Sequence, residues 1–359
     1  MMKHLGNLSS DESFYKDYLR ILSPDFPEFL RDYIATPEMQ RLRGTGVSCG
    51  CNYTDIYDFK FKVTNLNHSI GVALIVWHFT GDKAATVAGL FHDIANPSFK
   101  HCVDYMNGDH EKQESIDEKT EAIIRDSKTI TKLLRRDGIK IEEVLDYKDY
   151  PIADNDTPRL SADRLEYTLV GCYFWMKVWE LDDIREFYND LTIVKNEDGI
   201  DELAFRTLGV AEKFVTGTST QWPLWQDSPN KVTLQFIAET LMHLVRNKEI
   251  SVDDLWHLSE DEIIERIRHG RDKKLARSFE KFQNATRVYE TDKPIDNVFC
   301  RSIGAKRRYI VPLVSGAAGG GIRVNDLSTI ARQQIDDFMN SVDEYPKYAY
   351  LDFDLETEG

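Results

Sequence analysis

A mainly α-helical protein with a smaller α+β region at its C-terminus is the fold that this sequence predicts, on three observations. Apolar residues recur at helical spacing through most of the chain to about residue 245. Cap residues stand where those periodic segments open, and glycine or proline stands where they stop. After Pro294 the texture changes to short strand-like runs around a glycine stretch. With 359 residues, the chain can bury one large core or two smaller ones.

The elements follow in order. Ile70, Ala73, Leu74, Trp77 and His78 keep an i, i+3, i+4, i+7, i+8 spacing, and Gly81 stops that helix. His78 reads as a core histidine on the apolar stripe. A second helix fits 83–94 and is closed by Pro97, which cannot extend the hydrogen-bond ladder. A third is expected to open at Thr157-Pro158, with threonine as cap and proline in the first turn, and to run through Asp163 towards Trp179. Further helices with charged faces fill 228–289, with Ser251-Val252-Asp253-Asp254 and Ser259-Glu260-Asp261-Glu262 as openings. Beyond them, Arg308-Tyr309-Ile310-Val311 and Ile322-Arg323-Val324 read as strands, 327–338 as a helix, and 348–355 as an alternating segment. Gly316-Ala317-Ala318-Gly319-Gly320-Gly321 lacks the Lys-Ser/Thr of a phosphate-binding P-loop and reads as a hairpin loop. We therefore divide the chain into 1–290, helical, and 291–359, α+β.

Composition narrows the partners. Lys and Arg total 45 against 61 Asp and Glu, a net charge of -16, which disfavours extended nucleic-acid binding by phosphate neutralisation and leaves a small partner. The longest apolar run, 70–79, is too short for a membrane span, and the N-terminus lacks the apolar stretch of a secretory signal, so a cytoplasmic protein is expected. Five scattered cysteines read as free thiols.

The chemistry gathers on His68, His92-Asp93 and Asp163. A lone His-Asp pair carries little, but here one histidine opens a helix, the pair closes the next, and the aspartate lies in a third, so a helical bundle can converge all four. Two imidazoles and two carboxylates suit Mn, Fe, Mg or Zn and suit soft copper poorly.

The run from His92-Asp93-Ile94-Ala95-Asn96 through His101-Cys102-Val103-Asp104 to His110-Glu111 follows His68-Ser69-Ile70-Gly71-Val72 and precedes Ala162-Asp163-Arg164-Leu165-Glu166-Tyr167. With Thr36-Pro37-Glu38-Met39-Gln40-Arg41-Leu42-Arg43 upstream, this order resembles the HD-domain metal-dependent phosphohydrolases, and within them the dNTP triphosphohydrolase branch. The motif core lies in 36–180. The resemblance implies an HD-domain helical bundle that self-associates, and a divalent metal held by His68, His92, Asp93 and Asp163. It also implies His110, Asp104 and His101 as active-site groups, and Arg164 and Tyr167 as nucleotide contacts. A satisfied structural histidine is the alternative reading of His101.

Departures from the branch set the substrate in question. Asn96 stands where the triphosphohydrolases have a histidine; an amide donates a hydrogen bond there but exchanges no proton. Asn65 replaces a phosphate-binding arginine, Val47-Ser48-Cys49 replaces a segment reading the deoxyribose, and the aspartate partnering that segment falls on Gly171. Thr216-Gly217-Thr218 stands in for another phosphate contact. Arg159, Arg164, Lys100 and Lys112 remain to attract phosphate, and Tyr147, Tyr150, Tyr167, Trp222 and Trp225 to stack on a base. The reading is a metal-dependent phosphohydrolase acting on a nucleotide or related small phosphate ester through attack of metal-activated water on phosphorus. Its alternatives are a true dNTP triphosphohydrolase and a non-catalytic nucleotide sensor.

Overall fold

The structure is a computed structural model and describes residues 12–108, 119–316, 319–341 and 347–357. Its centre is the Asn65–Thr80 helix. Thr64 caps it, accepting from Asn67 N–H at 3.2 Å, and Gly81 ends it in the left-handed region at φ 62°. Leu66 and the run from Gly71 to Val76 are buried on every face, because three other helices surround it: Glu12–Leu22, Lys83–Phe91 and Ala162–Phe174. His78 lies beyond that enclosed stretch and is exposed, its ring against Phe79 and Tyr188, so the core assignment does not hold.

Asp82 caps Lys83–Phe91, which stops at His92, short of the expected end. The third helix begins at Ala162 rather than at Thr157. Its cap is Ser161, whose hydroxyl accepts from Arg164 N–H at 3.2 Å, while the Pro158 carbonyl is taken by Val311 N–H from the C-terminal region at 2.8 Å. A long helix, Ser228–Arg246, lies against the short His101–Met106 helix. Ser259 and Glu262 form the expected capping box at the start of Glu260–His269, and Asp253–Trp256 makes a short 3₁₀ turn after Ser251.

Two small sheets complete the molecule. β1 (Leu191–Lys195) and β2 (Asp201–Phe205) form an antiparallel hairpin inside the stretch read as helical; β5 (Leu313–Ser315) adds parallel to β2, and β6 (Gly321–Arg323) antiparallel to β5. β3 (Tyr289–Thr291) and β4 (Cys300–Arg301) flank β7 (Tyr348–Tyr350). The glycine stretch does join two antiparallel strands, with Gly316 N–H on Gly320 O at 2.8 Å. Arg308–Val311 is not a strand. Gln226 donates to the carbonyls of Ala305 and Lys306, and Val311 N–H goes to Pro158, so this segment's backbone is spent on loop contacts until Pro312 is passed. Helix Thr329–Asn340 follows as expected.

The main apolar core runs from Phe14 to Leu351, a second small cluster is made of Val194, Ala204 and Leu313, and the β2–β5 pair joins strands from either side of residue 290. All five cysteines are free, and no described helix is long and apolar enough to cross a membrane.

Candidate metal centre and its cavity

Three helices deliver the predicted donors to one place. His68 sits in the first turn of Asn65–Thr80, His92 and Asp93 follow the end of Lys83–Phe91, and Asp163 sits in the first turn of Ala162–Phe174. His68 Nε2 is 3.0 Å from Asp163 Oδ1 and 3.1 Å from His92 Nε2. One donor atom from each of these three residues falls within 4.8 Å of the others. Asp93 stands beside them, its Oδ2 3.5 Å from His92 Nε2 and 3.9 Å from His68 Nε2.

The second ring nitrogens are also held. His92 Nδ1 is 2.8 Å from the Gly89 carbonyl, and His68 Nδ1 meets Glu166 Oε2 in a very short contact. Glu166 lies one turn past Asp163, almost fully buried, and comes this close only because residue 71 is glycine. A Cβ there would stand 2.6 Å from Glu166 Cγ. Such partners fix the orientation of a ligating imidazole and raise its basicity.

Electrostatics agree with a cation's place. Burial would push the His68 imidazole down, but Glu166 and Asp163 outweigh it and raise its pKa to about 10. Burial likewise opposes ionisation of Asp163 and Asp93; His68 and His92 beside Asp163, and Lys100 with the same histidines beside Asp93, hold both carboxyls well below the usual range. Lys100 Nζ donates to Asp93 Oδ2 at 2.9 Å. Two imidazoles and two carboxylates fit a divalent ion of the Mn, Fe, Mg or Zn type, with His68 giving up its Nε2 proton to ligate.

The centre forms one side of a cavity of about 400 Å³. Asn96, His101, Arg164 and Tyr167 line it, as do Val47, Cys49 and Gly171. His101 Nδ1 lies 2.9 Å from Oδ2 of Asp104, which is completely buried, and His101 Nε2 faces Arg308 Nη2 at 3.4 Å. Burial and, after it, Arg308 and Lys100 lower the His101 pKa against the pull of Asp104. The Asn96 amide nitrogen is buried without a partner. Arg164 lines the cavity, but its guanidinium pairs with Asp154 at 3.1 Å and donates to the Arg159 carbonyl at 2.6 Å and to Asn155. Of the aromatics, Tyr147, Tyr167 and Trp225 line the cavity; Trp222 packs on Phe338, and Tyr150 donates to the Glu143 carbonyl. Asn65 is wholly buried, and Thr216 bonds Gln334. His110 and Lys112 lie outside the described residues.

Sequence reasoning missed Glu166 as a partner of His68, although its spacing of three from Asp163 on one helix face was a usable signal. It also missed Arg308 and Lys306 as cavity walls. No local pattern marks them; the fold brings them in from the C-terminal region.

No protein-family model matches the chain. The uncharacterized protein YdhJ of Bacillus subtilis is 26% identical over 271 residues, 74% of this chain and 79% of the relative. The metal-dependent phosphohydrolase cns2 of Cordyceps militaris is 22% identical over 258 residues, 71% of this chain and 72% of that protein. The fold is shared with a crystal structure of a phosphohydrolase from Bacteroides thetaiotaomicron, at a TM-score of 0.59 and 13% identity over 91% of this chain and 96% of that one. A hypothetical protein from Aquifex aeolicus is similar at a TM-score of 0.57 and 17% identity over 89% of this chain and 96% of that one.

Proposed function

We propose that this chain is a metal-dependent phosphohydrolase of the HD superfamily, acting on a nucleotide or related small phosphate ester. The observation that carries the reading is the meeting of His68, His92 and Asp163, with Asp93 beside them, in a cavity whose walls also bear Lys100 and Arg308. Its sequence likeness to a metal-dependent phosphohydrolase agrees.

His68, His92, Asp93 and Asp163 would hold the ion. When bound, a divalent ion lowers the pKa of water and offsets charge on a phosphoryl oxygen. The remaining work falls to side chains. Arg308, Lys306 and the Asn96 amide give donors for phosphoryl oxygens. His101, with Nδ1–H donating to Asp104, has its Nε2 lone pair facing Arg308 Nη2 at 3.4 Å, so proton uptake at Nε2 would compete with Arg308. Asp104 is then a positioning residue, since it is buried behind that imidazole.

Two features argue that the substrate is other than an ordinary dNTP. Asn65 is buried at a position that would need a phosphate-binding arginine, and the Arg164 charge is engaged by Asp154. The test is to strip metal, restore Mn, Mg, Fe or Zn singly, and resolve phosphate products by ion chromatography from dNTPs, nucleoside mono- and diphosphates and simple phosphate esters. Metal-dependent orthophosphate or pyrophosphate is expected. Tripolyphosphate would move the chain to the dNTP-cleaving branch, and tight binding without product would make it a sensor.

A further inference from the structure

Past Asp163 along helix Ala162–Phe174 the cavity wall becomes aromatic. Tyr167, Trp175 and Trp225 line it, with the Trp225 ring 5.4 Å from that of Trp175 at 82° and 6.4 Å from that of Tyr167 at 86°. Rings set edge to face do not cover one another's faces, and the Trp225 face carries the Arg308 guanidinium 5.9 Å from its centroid, so a flat group would rest on the wall beside that cation. One amide is set among them. Gln221 lines the cavity and is 1% exposed; its Oε1 is 3.7 Å from Cys172 Sγ, which donates to it, and its Nε2 has no partner. A buried N–H₂ without an acceptor is costly, and such groups in native proteins call for an explanation.

Gly171 supplies the room for this amide. It lines the same cavity, and a Cβ on it would run into Gln221 Nε2 and stand 3.2 Å from Cδ. Neighbouring helix Ala162–Phe174 therefore gives up a side chain at the one position where Gln221 needs space. The oxygen of the amide is engaged on one side and its nitrogen is left over on the other.

We propose that Gln221 is a specificity-determining residue whose Nε2 donates a hydrogen bond to an acceptor, a ring nitrogen or an oxygen, on the organic half of the substrate. That half is a flat ring resting on the aromatic wall, while the phosphate lies at the metal end. The phosphate end of this assignment rests on the phosphohydrolase reading; the aromatic end does not. A site built around a hydrogen-bond donor discriminates strongly against ligands that leave the donor unpaired, whereas an apolar wall alone discriminates weakly.

The experiment compares wild type with Gln221→Met, which keeps the volume and removes the donor, and with Gly171→Ala, which displaces the amide from the other side. Orthophosphate release is followed for the nucleoside 5′-monophosphates, ribose 5-phosphate and phenyl phosphate, the last being flat but without an acceptor on its ring. Both variants are expected to lower kcat/KM for the nucleoside monophosphates relative to phenyl phosphate by about tenfold, through KM. Loss confined to the nucleoside monophosphates assigns the acceptor to the heterocycle; equal loss on ribose 5-phosphate assigns it to a sugar hydroxyl. An unchanged ratio in both variants overturns the proposal. Should wild type hydrolyse none of the three, calorimetric titration of the free nucleosides separates the two readings. Binding that weakens in Gln221→Met keeps Gln221 and rejects hydrolysis, whereas equal binding, or none to either protein, overturns the role of Gln221.

Discussion

At the scale of single residues, a second set of side chains holds the candidate metal centre. Glu166 holds the ring of His68 at Nδ1, and Tyr18 Oη donates to its other oxygen at 3.3 Å. Glu166→Ala should therefore weaken metal binding by about 10- to 100-fold while leaving all four donors in place, measured by competition with a chromophoric chelator. Unchanged affinity would mean that packing alone orients His68. The same geometry predicts a proton. With its pKa raised to about 10, His68 carries protons on both nitrogens at neutral pH, and Nε2 must lose one to bind an ion. Below that pKa, affinity should rise with pH. Titration at pH 7 in buffers of different ionisation enthalpy should report release of about one proton per ion, and a zero slope would contradict this protonation state. Asp163→Ala, by contrast, should abolish metal binding and turnover together; turnover surviving without metal would defeat the proposed role of the centre.

At the scale of elements, caps decide where helices begin, and caps were only partly legible in the sequence. Ser259 with Glu262 and Gly81 acted as their local chemistry predicts. Thr157-Pro158 offered an equally good local signal, but the Pro158 carbonyl is claimed by Val311, a contact that no window of nearby residues contains. The β1–β2 hairpin was hidden for a related reason: its five-residue strands sit between long helices, and β2 is completed by β5, distant in sequence. The four candidate metal donors were legible because their order over three predicted helices resembles a known motif, whereas Arg308 reaches the cavity on a loop shaped by tertiary contacts. Asp227 gives an element-scale prediction. It caps Ser228–Arg246 through Asn230 N–H, yet burial, with Glu290 adding to it, pushes its carboxyl up to about 7 against the opposing pull of that cap bond and of Lys231. A carboxyl raised on folding contributes stability that is present below its unfolded pKa near 4 and is lost as pH rises through about 7. Asp227→Asn keeps an acceptor for the cap without the charge. It should gain on wild type by roughly 1–3 kcal/mol at pH 8, with the advantage fading towards pH 4, as urea titrations at the two pH values would reveal.

At the scale of the whole molecule, the C-terminal region and the entry to helix Ala162–Phe174 share a buried ionic hub. Glu202 on β2 is completely buried and accepts from Arg323 of β6 through both oxygens, at 2.6 and 2.8 Å, from Asn196 at 3.1 Å, and from Leu160 N–H at 3.1 Å. Arg323 also reaches the Val311 carbonyl at 2.9 Å and Glu197 at 2.8 Å. Leu160 lies just before Ser161, the cap that sets where Asp163 falls, so the hub ties the C-terminal hairpin to the entry of the helix that carries this candidate metal donor. Arg323→Ala would leave Glu202 buried without its countercharge, a defect that typically costs about 3–5 kcal/mol. Because Glu202 also holds Leu160, the damage should reach the metal centre, and affinity for the ion should fall along with the melting temperature. Adding Glu202→Gln removes the stranded charge and should restore part of the stability, but Arg323 is still absent, so Val311 stays loosened and metal affinity recovers less. If instead Arg323→Ala lowers the melting temperature while metal affinity stays at the wild-type value, the hub is a local clamp and the two regions are mechanically independent.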